Sequence, residues 1–241
     1  MWHNRPSIVL RLPMKFALAI LALIVAALVI PFIVPIGSPP SGSDANRNLP
    51  WQIVTDGQGG SEVFGLRPGY STLADVRRRL GSDMELAIIA EPNETGQLEG
   101  YFAQVSLGYV LARVIVTVDV KNDVISAMRE RALKATHMES TTRKITLHPE
   151  DRAAADRLPI RAISVIPTVN LDEATVVQRF GPPSERLAIS DKRVHLLYPE
   201  KGLDVIVDAD GKELLQYVAP RDFSLLREPL AKAPVESTAG R

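Results

Sequence analysis

Cysteine is absent from all 241 residues of the sequence. The chain therefore forms no disulfide, offers no thiolate to a metal and carries no thiol for a lipid. Aromatic residues are scarce as well, at 5%. A folded region of this chain must be stabilised by aliphatic burial and hydrogen bonding, without covalent cross-links.

A large excess of charge is missing too. Lys and Arg number 28, as do Asp and Glu, and three of the basic residues (Arg5, Arg11 and Lys15) precede a long apolar stretch. The rest of the chain thus has 25 basic against 28 acidic residues. A weakly acidic region lacks the electrostatic footprint of a nucleic-acid binder, so we expect no nucleic-acid partner.

Familiar catalytic motifs are also missing. The sequence has no phosphate-binding glycine loop and no H-E-x-x-H pair, and Ser71 lacks the second glycine of a nucleophile elbow. His137, His148 and His195 are too widely spaced for a typical zinc site. We therefore expect surface or structural histidines, no enzyme activity, and no catalytic, cofactor-binding or metal-binding residue.

One acidic cluster hints at a calcium loop: Asp204, Asp208, Asp210 and Gly211. The full spacing of such a loop and its distant Glu are not met. Asp-Gly between two apolar stretches is instead a strong signal for a hairpin turn. We therefore predict a turn over residues 208–211 and no cofactor.

The longest apolar stretch is Phe16–Ile36, which holds no charged residue. About 20 apolar residues in a helix span the ~30 Å hydrocarbon core of a bilayer. Because basic residues precede it, residues 1–15 are expected in the cytoplasm and the bulk of the chain in the periplasm. One alternative is a cleaved signal peptide, but its core usually has about 7–15 residues and ends at small residues rather than prolines. The other is a buried helix of a soluble domain, which a terminal, wholly apolar segment with basic flanks does not suit. The prediction is a single-pass anchor in the inner membrane.

The segments that flank the expected folded region are polar. Residues 37–50 are rich in Gly, Ser, Pro and Asn, which predicts a flexible linker. Trp51 follows and is expected to pack on the folded part. Residues 231–241 are predicted to form a disordered tail.

Helix signals occur at Thr72–Leu80. Thr72 and Asp75 have the spacing of a capping box, and Gly81 stands where a helix ends in the left-handed conformation. Apolar residues at i, i+3 and i+7 share one helical face: Leu73, Val76 and Leu80.

Strands are predicted next. Glu85–Ala90 is short and apolar, Glu91–Gly100 is a turn-rich connection, and Tyr101–Leu107 forms a second strand. The clearest strand is Tyr109–Val120, because every even position is apolar and the odd positions are mixed. That alternation predicts an antiparallel strand with one buried face.

The stretch after this strand is predicted to turn back on it. Lys121–Asp123 reads as a turn and Val124–Leu133 as the returning strand. Lys134–Arg157 is polar, which predicts a connection with one strand around Ile145–Leu147.

The helix pattern recurs later in the chain. Ala174–Gly181 matches Ala74–Gly81 at Ala, Val, Arg and Gly, and Asn170 with Glu173 again has capping-box spacing. Three predicted strands follow: Val194–Tyr198, Leu203–Val207 and Leu214–Val218. The recurrence indicates an internal repeat. The predicted fold class is α+β, with two similar repeats of a helix and an antiparallel sheet (residues 51–148 and 149–230) after one transmembrane helix.

A helix that ends in V-x-x-x-[LF]-G, followed by strands with a polar turn in the last hairpin, resembles the SmpA/OmlA (BamE-like) domain of small bacterial envelope lipoproteins. The paired arrangement is similar to β-lactamase-inhibitor-like repeat domains. The resemblance covers roughly Phe64–Leu133 and Ile163–Leu226. It implies a binding or scaffolding role without catalytic residues. The chain lacks the lipid-bearing cysteine of those lipoproteins and has an apolar stretch in its place, which favours the inner membrane.

Three classes of function remain open at this point. The first is an interaction or scaffold module of the cell envelope that binds a protein partner by its sheet faces or edges. The second is an envelope enzyme whose dispersed His and Asp residues meet in the fold, and the third is a ligand-binding sensor. A short cytoplasmic tail and the lack of a G-x-x-x-G face weigh against the sensor. We expect the first class and leave the presence of a small-molecule ligand open.

Overall fold

A computed structural model describes residues 48–138 and 141–232 of the chain. Within them the fold is α+β, as expected, with five α-helices, a two-stranded ribbon and a ten-stranded antiparallel sheet. The helices are α1 Leu73–Leu80, α2 Asn122–Glu130, α3 Pro149–Ala155, α4 Glu173–Phe180 and α5 Ser224–Lys232. The strands are β1 Val54–Thr55, β2 Ser61–Glu62, β3 Glu85–Ala90, β4 Gln97–Leu107, β5 Val110–Val118, β6 Lys134–His137, β7 Arg143–Thr146, β8 Ile160–Pro167, β9 Glu185–Ala188, β10 Arg193–Tyr198, β11 Leu203–Asp208 and β12 Leu214–Val218.

The large sheet has the strand order β6-β7-β3-β4-β5-β8-β12-β11-β10-β9. One meander, β3-β4-β5, approaches the centre from one side, and a second, β9-β10-β11-β12, approaches from the other. They meet on opposite sides of β8, which pairs with both β5 and β12. Strands from both predicted repeat segments therefore share a single sheet.

One face of the sheet, here called the core face, packs against four helices. Its strand residues form one buried cluster with residues from α1, α2, α3 and α4. The centre of that cluster is built from directly opposed aliphatic pairs, such as Val114 with Val165 and Val116 with Ile163, all fully buried. Trp51 packs against the same cluster, as predicted. Its indole contacts Phe180 edge-on, with ring centroids 6.4 Å apart.

On the opposite face, here called the outer face, one helix of the described part of the chain packs over half of the sheet. Leu226 and Leu230 of α5 pack against a small second cluster that contains Leu197 and Val218. These two strand residues belong to β10 and β12, in the half of the sheet formed by the second meander. This one-sided cover positions the candidate site described below.

The first predicted helix and its cap are confirmed. The Thr72 side chain accepts from the backbone N–H of Asp75, and the Asp75 carboxylate accepts from the backbone N–H of Thr72. Gly81 ends this helix and Gly181 ends α4, with φ of 116° and 85°. The ψ values of 167° and −179° place both residues outside the left-handed helical region, so the conformation predicted for Gly81 is wrong.

The predicted cap of the second helix is wrong. Asp172, rather than Asn170, precedes α4, and its carboxylate accepts from the backbone N–H of Thr175 at 2.8 Å. Both residue types are good N-caps, but the buried Val176 and Phe180 fix where the helix lies against the core.

The alternating strand is confirmed as β5, with every even residue from Val110 to Val118 buried. The predicted return strand Val124–Leu133 is wrong, because those residues form most of α2. Ile125 and Met128, three positions apart, point into the core. Strand β5 pairs instead with β4 and β8. The apolar residues of this stretch follow a helical period, but over so few residues a helical period is hard to distinguish from the alternation of a strand.

The predicted connections contain more structure than expected. The segment Glu91–Gly100 includes the start of β4 at Gln97. Residues 134–157 hold the predicted strand as β7, and in addition they hold β6, which forms a hairpin with β7, and helix α3. The strands predicted over 194–218 and the turn over 208–211 agree with β10, β11 and β12.

The ends of the folded region also differ from the prediction. Leu49 is buried, so the packed part begins inside the predicted linker. Helix α5 extends to Lys232 and takes up the start of the predicted tail. The remaining tail and the predicted anchor Phe16–Ile36 lie outside the described residues. Among residues 48–138 and 141–232, no helix combines the length and the apolar composition that crossing a membrane requires.

Candidate functional site

The three histidines of the sequence analysis lie in three different environments. His137 is exposed on β6, an edge strand of the sheet. His148 caps α3, where its Nδ1 accepts from the backbone N–H of Glu150 at 3.4 Å. His195 is buried on β10. In the described ranges, no group of three or more His, Asp or Glu side chains is arranged to hold a metal ion.

His195 forms the most deeply buried ionisable pair in the described structure. Its Nδ1 lies 2.8 Å from Oδ2 of Asp204, across the β10–β11 ladder on the outer face. Burial raises the pKa of Asp204, and the hydrogen bond with His195 offsets part of that effect. The second carboxylate oxygen, Oδ1, has no hydrogen-bond partner among the described residues.

This pair resembles half of a catalytic triad but lacks access to a substrate. The side chains of His195 and Asp204 are only 7% and 1% exposed. A general base must lie within hydrogen-bond reach of the proton that it removes from a bound substrate. The pair is therefore best explained as a structural contact that connects two neighbouring strands beside Leu197.

The acidic turn is held by protein cations and backbone amides. Asp208 accepts from Arg193 at 2.7 Å and from the backbone N–H of Asp210 at 3.1 Å. Asp210 in turn pairs with Lys192. These contacts hold the carboxylates in a hairpin turn, in agreement with the predicted turn.

An open groove of about 390 Å³ lies on the outer face, in the half of the sheet that α5 does not cover. Its floor is formed by strands β3, β4 and β5. Neighbouring residues of the floor are directly opposed, so Tyr101 lies between Glu85 and Ile115. The lining residues are Glu85, Ala87, Ile89, Glu99, Tyr101, Ile115, Met138 and Lys144.

Glu99 is the exceptional residue of this groove. It is half-buried, between Ala87 on β3 and Thr117 on β5. Burial raises the pKa of Glu99, and burial is the single cause of that shift. Glu85, by contrast, forms an ion pair with Lys144 at the same groove. The groove therefore combines apolar floor residues with one poorly solvated carboxylate, and no cation within residues 48–138 or 141–232 pairs with it.

A larger depression of about 600 Å³ lies near the loop after β3. It is polar and lined by two arginines, of which Arg129 is already engaged, because it donates to the carbonyl oxygens of Glu94 and Thr95 at 2.7 Å each. This arginine holds the loop, and the depression lacks the apolar floor that is typical of binding sites.

The two edges of the ten-stranded sheet are less suited to binding than the groove. The edge strands β6 and β9 have four residues each and carry charged side chains such as Lys134 and Arg186. Short, charged edge strands are the usual means of preventing the addition of a further strand. Of the faces and edges expected from sequence, the outer face is therefore the better candidate.

Sequence reasoning did not identify the groove. Glu99 falls in the segment predicted as a turn-rich connection, and Ile115 lies on the mixed face of β5, opposite the face predicted to be buried. A weak signal existed, since Leu111 and Ile115 are apolar among polar odd positions. Comparison with protein-family models, with characterised proteins and with solved structures finds no match to this chain.

Proposed function

We propose that this chain is a membrane-anchored interaction module of the bacterial cell envelope, which binds a protein partner through the open groove and catalyses nothing. The observation that carries the proposal is the unequal cover of the outer face. Helix α5 shields the half around Leu197 and Val218, whereas the half around Tyr101 and Ile115 has no covering element among the described residues.

Physical chemistry supports a partner at this place. The groove is lined by apolar side chains of the sheet face, which belong to Ala87, Ile89, Tyr101 and Ile115. Burying apolar surface is the main favourable term in protein association. Apolar side chains, aromatic ones above all, are enriched in the buried centre of protein–protein interfaces.

The proposal includes a duplicated unit. Helix α1 with Gly81 and helix α4 with Gly181 are separated by 100 positions, and each is followed four residues later by a strand that begins with Glu85 or Glu185. In this account the two units, residues 51–148 and 149–230, form the two halves of one sheet. Their resemblance to envelope repeat domains supports a scaffolding role.

The membrane anchor is the second part of the proposal, and it rests on the apolar stretch Phe16–Ile36 with its preceding basic residues. The folded part is then periplasmic and tethered to the inner membrane. Alkaline carbonate should leave the protein in the membrane, and protease added to spheroplasts should digest the folded part. Release by carbonate, or a mature N-terminus near Ser41, would contradict the anchor.

Site-specific photo-crosslinking in native membranes tests the binding role. Benzoylphenylalanine replaces Tyr101 in the groove and, as matched controls, Tyr70 and Tyr109, which are 58% and 55% exposed and lie outside the groove. We expect an adduct of one mass from position 101, absent from the controls and lost when Ile115→Asp is added to a protein that still melts cooperatively. No adduct at 101, or the same adduct from all three positions, would refute the proposal.

A further inference from the structure

We infer that the groove accepts an amphipathic helix of the partner, with apolar residues one turn apart and a Lys or Arg placed against Glu99. This inference rests on the proposed binding role and specifies the chemistry of the partner. It is drawn from how the same face of the sheet is covered in the other half of the molecule.

Helix α5 shows how this sheet face accepts a helix. Leu226 and Leu230, at i and i+4, pack on the outer face. Between them in sequence, Arg227 donates from Nε and Nη2 to the two carboxylate oxygens of Glu185, at 3.0 Å each. Two apolar anchors and one basic residue thus cover the half of the sheet around Leu197.

The uncovered half of the outer face carries groups that complement a helix of this kind. Tyr101 and Ile115 provide apolar surface, as Leu197 and Val218 do beneath α5. The difference lies in the charges. Glu85, which begins its strand as Glu185 does, is already paired with Lys144, whereas Glu99 has only burial acting on its pKa. Of the two groove carboxylates, Glu99 is therefore the one that a cation of the partner would stabilise.

The position of Glu99 makes a cation from a partner effective. A charge pair in a partly desolvated apolar groove is screened less than a pair in open water. Bringing Arg or Lys to Glu99 would favour the ionised carboxylate that burial now disfavours. An acidic segment would repel both Glu99 and Glu85, so charge complementarity selects a basic helix.

Other occupants fit the groove less well. An extended segment would need a free strand edge, whereas β3, β4 and β5 all have neighbours on both sides within the sheet. Anionic lipid headgroups would be repelled by Glu99 and Glu85, as an acidic peptide would be. A small apolar ligand would leave Glu99 without a cation. The first test below would detect such a ligand as an adduct of low mass.

The first test identifies the segment that crosslinks to position 101. The adduct is digested and sequenced by mass spectrometry. We expect a helix-forming segment with apolar residues at i and i+4 and a Lys or Arg within one turn of them. An adduct to an extended or acidic segment of a protein would overturn this inference alone, whereas an adduct to a lipid or small molecule would overturn the proposed function as well. Absence of any adduct would instead refute the proposed function, so the two failures are distinguishable.

The second test measures charge selectivity directly on the full-length protein in nanodiscs. The probes are two helical peptides with the same apolar i, i+4 face, one with Arg and one with Glu between the apolar residues. We expect the Arg peptide to bind about tenfold more tightly, equivalent to ~1.4 kcal/mol. Glu99→Gln should bring the two affinities together, whereas Glu62→Gln, an exposed control outside the groove, should leave the ratio unchanged. Equal affinities in the unaltered protein, or a preference that survives Glu99→Gln, would contradict the inference.

Discussion

Glu85 and Glu185 lie at the two ends of one continuous row of side chains across the outer face of the sheet. Each glutamate begins a strand, and each accepts from a basic residue, Lys144 on β7 for the first and Arg227 on α5 for the second. The row runs through eight strands by direct cross-strand pairing: Glu85, Tyr101, Ile115, Ser164, Gln216, Asp204, Leu197 and Glu185. The two ends differ in their cover, because among the residues that the structure describes a helix packs over the Glu185 end and none packs over the Glu85 end.

The pH dependence of stability should differ in sign for two glutamates. Burial raises the pKa of Glu99, so its ionised form costs folding free energy, and stability is lost as the pH rises from below 4.5 through the folded-state value. The hydrogen bond from Arg186 lowers the pKa of Glu173, so its contribution is present above 4.5 and lost on acidification.

Chemical denaturation between pH 3 and pH 7 measures this contrast. Glu99→Gln should be more stable than the unaltered protein near neutral pH, with the gain shrinking in acid. Glu173→Gln should be less stable near neutral pH, with the loss shrinking in acid. The same sign for both variants would show that burial does not govern Glu99.

Core packing under the helices is tested at two adjacent positions of β5. Val116 is fully buried, and Val116→Ala should lower the free energy of unfolding by about 1–3 kcal/mol through lost burial and a residual cavity. Thr117→Ala, on the outer face, should cost much less. Equal losses in urea denaturation would mean that the core face has been assigned to the wrong side of the sheet.

The buried histidine is expected to be structural. His195→Ala leaves Asp204 buried without its partner, which should cost about 3–5 kcal/mol at neutral pH. Because burial raises the pKa of Asp204, this loss should shrink as the pH falls and the carboxyl takes up a proton.

A double variant separates this role from chemistry. His195→Leu with Asp204→Leu removes both ionisable groups and should recover most of the lost stability. It should also retain crosslinking from position 101. A stable double variant that no longer supports envelope integrity in a deletion strain would instead argue for a catalytic or metal-binding role of the pair.

The parts of the fold with a strict period were predictable from the sequence. The valines of β5 alternate over a whole strand, and Thr72 with Asp75 completes a capping box, so each local signal agrees with the tertiary structure. The stretch around Ile125 and Met128 was predicted as a strand because a few apolar residues fit either period.

The candidate site was beyond prediction for a different reason. Whether Tyr101 meets solvent or another element depends on where α5 lies, and α5 is more than one hundred residues away in sequence. Glu99 looked like a turn residue because Pro and Gly precede it in the segment after β3. Only the tertiary structure shows that its strand begins at Gln97 and that its carboxyl enters a groove.

The absence of cysteine provides the most direct test of the central claim, since a single introduced cysteine is the one thiol in the chain. Tyr101→Cys and Ile115→Cys are placed in the groove, with Tyr70→Cys and Leu225→Cys as exposed controls. Each variant is labelled with a membrane-impermeant maleimide, on spheroplasts and as purified full-length protein in detergent. If a partner fills the groove about nine-tenths of the time, positions 101 and 115 should react roughly tenfold more slowly on spheroplasts, while the controls react equally in both. Groove cysteines that react as fast on spheroplasts as in the purified protein would contradict the account.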